Sequence, residues 1–109
     1  MTTDELMRIA ASGVVVRPPH DAGTGCELCD ADLGSQVAIS SAYGAVHARC
    51  AAPVIAEAIR SSGRDVIRHV TGVVCAICRR SFRYQDAVVL VGREGSKSAL
   101  HVRGCERGR

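Results

Sequence analysis

All six cysteines and two of the four histidines in this 109-residue chain fall into two sets of nearly the same spacing. The first is Cys26, Cys29, His47 and Cys50, written C-x2-C-x17-H-x2-C, and the second is Cys75, Cys78, His101 and Cys105, written C-x2-C-x22-H-x3-C. A CxxC turn points two sulfurs to one side and aims backbone N–H groups at them, which favours thiolates. A histidine and a cysteine about one helical turn apart project together and supply the other half of a tetrahedron. Three thiolates and one imidazole make a closed structural zinc set, so the chain is expected to bind two zinc ions. Each CxxC is expected to pair with the His/Cys pair that follows it, although a cross-braced exchange of the second pairs fits the same spacings.

Composition shows why metal is needed. The chain has no Trp, one Phe and two Tyr, so its core must be built from Val, Ile, Leu and Ala, which bury less area per residue. Small scaffolds of this kind recruit disulfides, metals or oligomerisation. Asp4 and Glu5 stand where a secretory signal would carry basic residues, and no cleavable apolar run follows, so a cytoplasmic location is expected. Thiols in that compartment are metal ligands more often than disulfides. A disulfide framework would also leave the two matching histidines unexplained. A thioredoxin-like CxxC would need a βαβ setting that is not visible, and a histidine in each set favours zinc over an iron–sulfur cluster. His20 and His69 lie outside both sets and read as surface or loop residues. No run approaches the length of a membrane span.

The chain also matches itself at an offset of 49 to 51 residues: Cys26 and Cys29 fall on Cys75 and Cys78, Leu28 on Ile77, and Leu33 on Phe82. Val46-His47 then matches Leu100-His101, and Glu5 to Arg8 with Ser12-Gly13 resembles Glu57 to Arg60 with Ser62-Gly63. Such a period implies one supersecondary unit used twice. Residues 2–12 read as a helix opened by a Thr2/Glu5 capping box and stopped at Gly13. A short strand, 14–17, precedes the Pro18-Pro19 break. Residues 36–41 and 45–47 are expected to pair as a hairpin. A helix ending at Gly63 follows, and because Pro53 is tolerated only in a first turn, it is expected to begin at about Cys50 or Ala51. In the second unit the hairpin is expected over 87–91 and 98–100. The predicted class is a small, metal-stabilised α+β fold divided into an N-terminal helix and linker (1–25), a first zinc unit with its closing helix (26–63) and a second zinc unit with a basic tail (64–109).

With knuckle, hairpin and helix in place, each unit resembles a treble-clef zinc finger, and more narrowly the first half of a LIM domain. The residues that carry the likeness are Cys26, Cys29, Leu33, Gly44, Val46, His47 and Cys50, and again Cys75, Cys78, Phe82, Leu100, His101 and Cys105. Where a LIM domain continues with a second cysteine set, this chain has the helix AAPVIAEAIRSSG, and Val46 or Leu100 replaces the aromatic before the histidine. The resemblance implies a zinc-held finger of the kind that usually serves as a protein-binding adaptor.

Charge points to another partner. Residues 1–55 hold three basic against six acidic residues, whereas 56–109 hold eleven against five. In the second unit Arg79, Arg80 and Arg83 follow the knuckle, Arg93 and Lys97 flank the hairpin loop, and Arg103 and Arg107 lie in the tail. Arginines so placed are expected to contact the phosphates of a nucleic acid. The adaptor is the alternative, using hairpin edges or the helix face around Ile55 and Ile59, and those surfaces leave oligomerisation open. Neither reading involves a membrane or a small-molecule substrate. Closed four-ligand sites and the absence of a nucleophile–base pair, phosphate loop or paired carboxylates argue against an enzyme.

Overall fold

Thr2 opens the chain's first helix as the sequence predicts. Its hydroxyl accepts from the Glu5 N–H at 3.2 Å while its own N–H donates to Glu5 Oε1 at 2.8 Å. These bonds hold the Glu5 carboxyl below its ordinary range. In the computed structural model, which describes residues 1–68, 70–102 and 105, helix α1 covers Thr3–Ser12 and buries Leu6, Ile9 and Ala10. Gly13 ends it, donating to the Ile9 carbonyl at 2.8 Å. A side chain there would meet that oxygen at 2.6 Å and the Ile39 methyl at 2.8 Å, so only glycine fits the close approach to the sheet.

Strand β1 (Val14–Val16) pairs antiparallel with β2 (Ala38–Ser41), which forms a hairpin with β3 (Gly44–His47). Helix α2 (Ala48–Ser61) follows without a break and buries Ala48, Ala51, Ala52, Ile55 and Ala56. It starts earlier than the proline argument predicts, so Pro53 sits at its sixth position. The first four N–H groups of any helix lack intrahelical acceptors, so a proline in the second turn removes only one early rung, to the carbonyl of exposed Arg49. The Ala48 N–H, one of those orphans, donates instead to the Val37 carbonyl at 3.0 Å and fixes the start.

The second half repeats the plan. A two-residue strand β4 (Ile67–Arg68) pairs with β5 (Ala87–Val91), and β5 with β6 (Ser98–His101), all antiparallel. The chain is thus α+β, with two helices and two three-stranded sheets of order β1-β2-β3 and β4-β5-β6 among the described residues. Sequence reading finds both hairpins but not β4, whose two exposed residues carry no alternation to read.

The two halves share a core. Leu6 and Ile9 from α1, Ile39 and Val46 from the first sheet, Ile55 from α2, and Val89, Val91 and Leu100 from the second sheet belong to one buried cluster. A smaller cluster of Cys75, Phe82, Val88, Ala99 and Cys105 lies in the second half. At the junction the Gly92 N–H donates to the Ala10 carbonyl at 2.6 Å, and its φ of +114° is open only to glycine. Ile55 is 2% exposed, so the expected helix-face docking surface lies inside this core instead.

Candidate metal centres and the surrounding arginines

The same backbone bonds build each knuckle. In the first, Cys26 N donates to the Ala31 carbonyl at 2.8 Å and Asp30 N to the Cys26 carbonyl at 2.8 Å; in the second, Cys75 N donates to the Arg80 carbonyl at 2.9 Å and Arg79 N to the Cys75 carbonyl at 2.8 Å. Asp30 and Arg79 both take the left-handed conformation, with φ of 66° and 63°, that this turn requires. The knuckle is tied to its hairpin by Glu27 N to the Ala45 carbonyl at 3.0 Å and by Ala76 N to the Ala99 carbonyl at 2.9 Å. The sequence repeat is therefore a repeat of hydrogen bonds.

These bonds bring the eight side chains into two groups, Cys26, Cys29, His47 and Cys50, and Cys75, Cys78, His101 and Cys105. Within each group the ligand atoms lie within 4.8 Å of one another. In the first, the Nδ1 of His47, at the end of β3, is 3.3 Å from Cys29 Sγ and 3.6 Å from Cys50 Sγ, which comes from the first turn of α2. In the second, His101 Nδ1 is 3.4 Å from both Cys78 Sγ and Cys105 Sγ, and Cys75 and Cys105 have their sulfurs 3.5 Å apart. A tetrahedral ion with sulfur at 2.3 Å and nitrogen at 2.0–2.1 Å implies edges of about 3.5 to 3.8 Å, so both groups fit such an ion. No cysteine is bridged to another.

The surroundings prepare the ligands unequally. Burial pushes the Cys26 thiol up, but N–H groups of His47, Cys29 and Leu28 aimed at its sulfur outweigh that and bring it down to about 7. Cys75 goes further, to about 4: the Cys105 thiol donates to it, burial opposes, and the N–H groups of His101, Cys78 and Ile77 add to the lowering. Cys50 is pushed up to about 12 by burial and by the nearby Cys26 sulfur, while Cys105 is raised first by its bond to Cys75 and then by burial. The raised thiols Cys50 and Cys105 hold their protons most firmly, and metal binding displaces protons from the thiols that become ligands.

Partners beyond the ligands also differ. His47 Nε2 lies 3.1 Å from the Asp32 carbonyl and 3.2 Å from that of Leu33, so its N–H is held by backbone and Nδ1 faces the sulfurs. His101 Nε2 faces a carboxylate instead, with Asp86 Oδ2 at 3.4 Å. Asp86 also accepts from the Arg83 N–H at 2.8 Å. Sequence reasoning does not find Asp86, because a carboxylate just before β5 is indistinguishable from a turn residue. His20 takes no part in either group and bonds to the Gln36 carbonyl at 2.7 Å.

Of the expected phosphate-contacting residues, Arg79, Arg80, Arg83 and Arg93 are exposed, and none enters an ion pair among the described residues. Lys97 is turned back on its own loop, 3.4 Å from the Gly92 carbonyl and 4.0 Å from Glu94. Arg103, Arg107 and His69 lie outside the described residues. Two of the three basic residues counted in the acidic half, Arg17 and Arg49, line an open cleft of about 480 Å³ that also reaches Ile77 of the second knuckle. No described helix is long and apolar enough to cross a membrane. No family model, curated protein or solved structure matches the chain.

Proposed function

We propose that this chain is a non-catalytic, zinc-held module of two treble-clef-like units that binds nucleic acid through arginines fixed to the metal knuckles. Three cysteines and a histidine favour zinc over harder or redox-active ions, and four protein ligands leave no coordination position for a substrate. The zinc ions would supply only structural rigidity.

The observation that carries the binding reading is the backbone of the second knuckle. The Arg80 carbonyl and Arg79 N–H are both bonded to Cys75, so the two arginines start from positions that the ligand turn fixes, while their side chains face no carboxylate among the described residues. Preset cations of this kind suit the phosphate backbone, where contacts position a protein without reading sequence. Tyr84, 78% exposed, is the aromatic best placed for a base to stack on.

A second reading, a protein-binding adaptor, is favoured by Val14 and Ile67, which are 59% and 44% exposed on the edge strands β1 and β4. An added strand would pair there. Anisotropy of labelled duplex DNA and single-stranded RNA against zinc-loaded protein separates the two readings. Micromolar binding that weakens steeply with salt supports the nucleic-acid reading. No binding at low salt contradicts it and leaves the adaptor.

A further inference from the structure

The cleft beside Arg17 and Arg49 belongs to neither metal group. It lies where the two units meet and is lined by Arg17, Pro18, Ser35, Gln36, Val37, Arg49 and Ile77. No carboxylate is among these residues. The Arg17 guanidinium is anchored across the junction by donating from Nη2 to the Ala76 carbonyl of the second knuckle, which fixes one of its donors and leaves the rest. Arg49 and the side chains of Ser35 and Gln36 make no hydrogen bond or ion pair among the described residues. Two guanidinium groups bordering one cleft without a counter-charge favour an anion there. Buried Val37 and half-buried Ile77 give the cleft an apolar part, and its volume exceeds what a bare inorganic ion fills.

We infer that this cleft binds a nucleoside phosphate unit, its phosphate between Arg17 and Arg49 and its sugar or base against Val37 and Ile77. The inference rests on the nucleic-acid reading for its physiological source, a strand crossing the junction of the units, but the shared chemistry extends to a free nucleotide. It moves one principal phosphate contact out of the basic half and onto the junction.

The test uses zinc-loaded full-length protein, with amide NMR spectra confirming that each variant is folded. A labelled single-stranded oligonucleotide is titrated against wild type, the R49Q variant, the R17Q/R49Q double variant and R79Q/R80Q/R83Q. The cleft predicts roughly tenfold weaker binding for R17Q/R49Q and a salt slope reduced by about one to two, with a smaller loss for R49Q alone, which breaks no bond in the fold. Unchanged binding in R17Q/R49Q, with a loss in R79Q/R80Q/R83Q, overturns the cleft and preserves the nucleic-acid reading. If wild type binds no oligonucleotide, that reading fails and the cleft is judged by NMR titration with adenosine monophosphate and with inorganic phosphate. Shifts confined to residues such as Gln36, Val37, Arg49 and Ile77, stronger with the nucleotide and lost in R49Q, support it. Absent or scattered shifts overturn it.

Discussion

Asp86 places a carboxylate oxygen 3.4 Å from Nε2 of His101, where the equivalent nitrogen of His47 meets only backbone carbonyls. A carboxylate behind a ligating histidine orients the ring and raises its basicity, so it strengthens the metal bond. Replacing Asp86 with Asn is expected to weaken metal binding at the second site by about tenfold and leave the first site unchanged. Competition with a chromophoric chelator resolves the two sites, and equal losses at both would contradict the assignment.

Metal removal should act unevenly. The second group sits in a small cluster in which two of five buried members, Cys75 and Cys105, are themselves ligands, whereas Cys26 joins the large shared core. Stepwise chelation followed by hydrogen exchange is expected to expose amides around Phe82 and Val88 before those of Ile39 and Val46. Simultaneous exposure of both regions would show that the shared core does not hold the first unit.

Acidification should release the ions. Protons compete for the thiolates and the imidazole Nδ1 atoms, so metal affinity falls as pH falls, more steeply than a single titrating group would allow. The sign for Cys26 and Cys75 is that of an acid lowered on folding: its contribution is complete above the ordinary thiol range and is lost as pH drops through the folded value of about 7 for Cys26 and about 4 for Cys75. Zinc release monitored from neutral pH downward should show this loss at both sites, and release that follows a single-proton curve would contradict it.

The junction between the halves depends on Gly92. Its N–H bonds to Ala10, its φ is +114°, and a Cβ would stand 2.8 Å from the Ser96 carbonyl. G92A is therefore expected to destabilise the zinc-loaded protein by about 1 to 3 kcal/mol. By comparison, Leu100→Ala removes a fully buried side chain of the shared core and should cost about 2 to 5 kcal/mol. Urea unfolding measures both, and a single transition in each case would show that the halves unfold together.

Ligand chemistry and hairpins were legible because they are local. CxxC spacing, the Thr2/Glu5 box and the closely spaced His/Cys pairs each state their geometry within a few residues. The shared core was not legible: nothing near Val89 or Val91 says that their partners include Leu6 and Ile9, since that contact depends on how two units of one repeat stack. The start of α2 departs from the proline expectation because the Val37 carbonyl takes the Ala48 N–H, a contact that no neighbouring residue announces. Arg17 and Arg49 lie 32 positions apart in an acidic stretch, and only the fold brings them to one cleft.

Native mass spectrometry of protein refolded with zinc under reducing conditions tests the central claim most directly, when combined with absorption spectra of the cobalt-substituted form. Two ions per chain, each with the intense visible bands of a tetrahedral thiolate-rich site, and loss of one ion in either Cys26→Ser or Cys75→Ser, are the predicted result. A folded chain that takes up no metal, or whose cysteines are joined in disulfides, would contradict it.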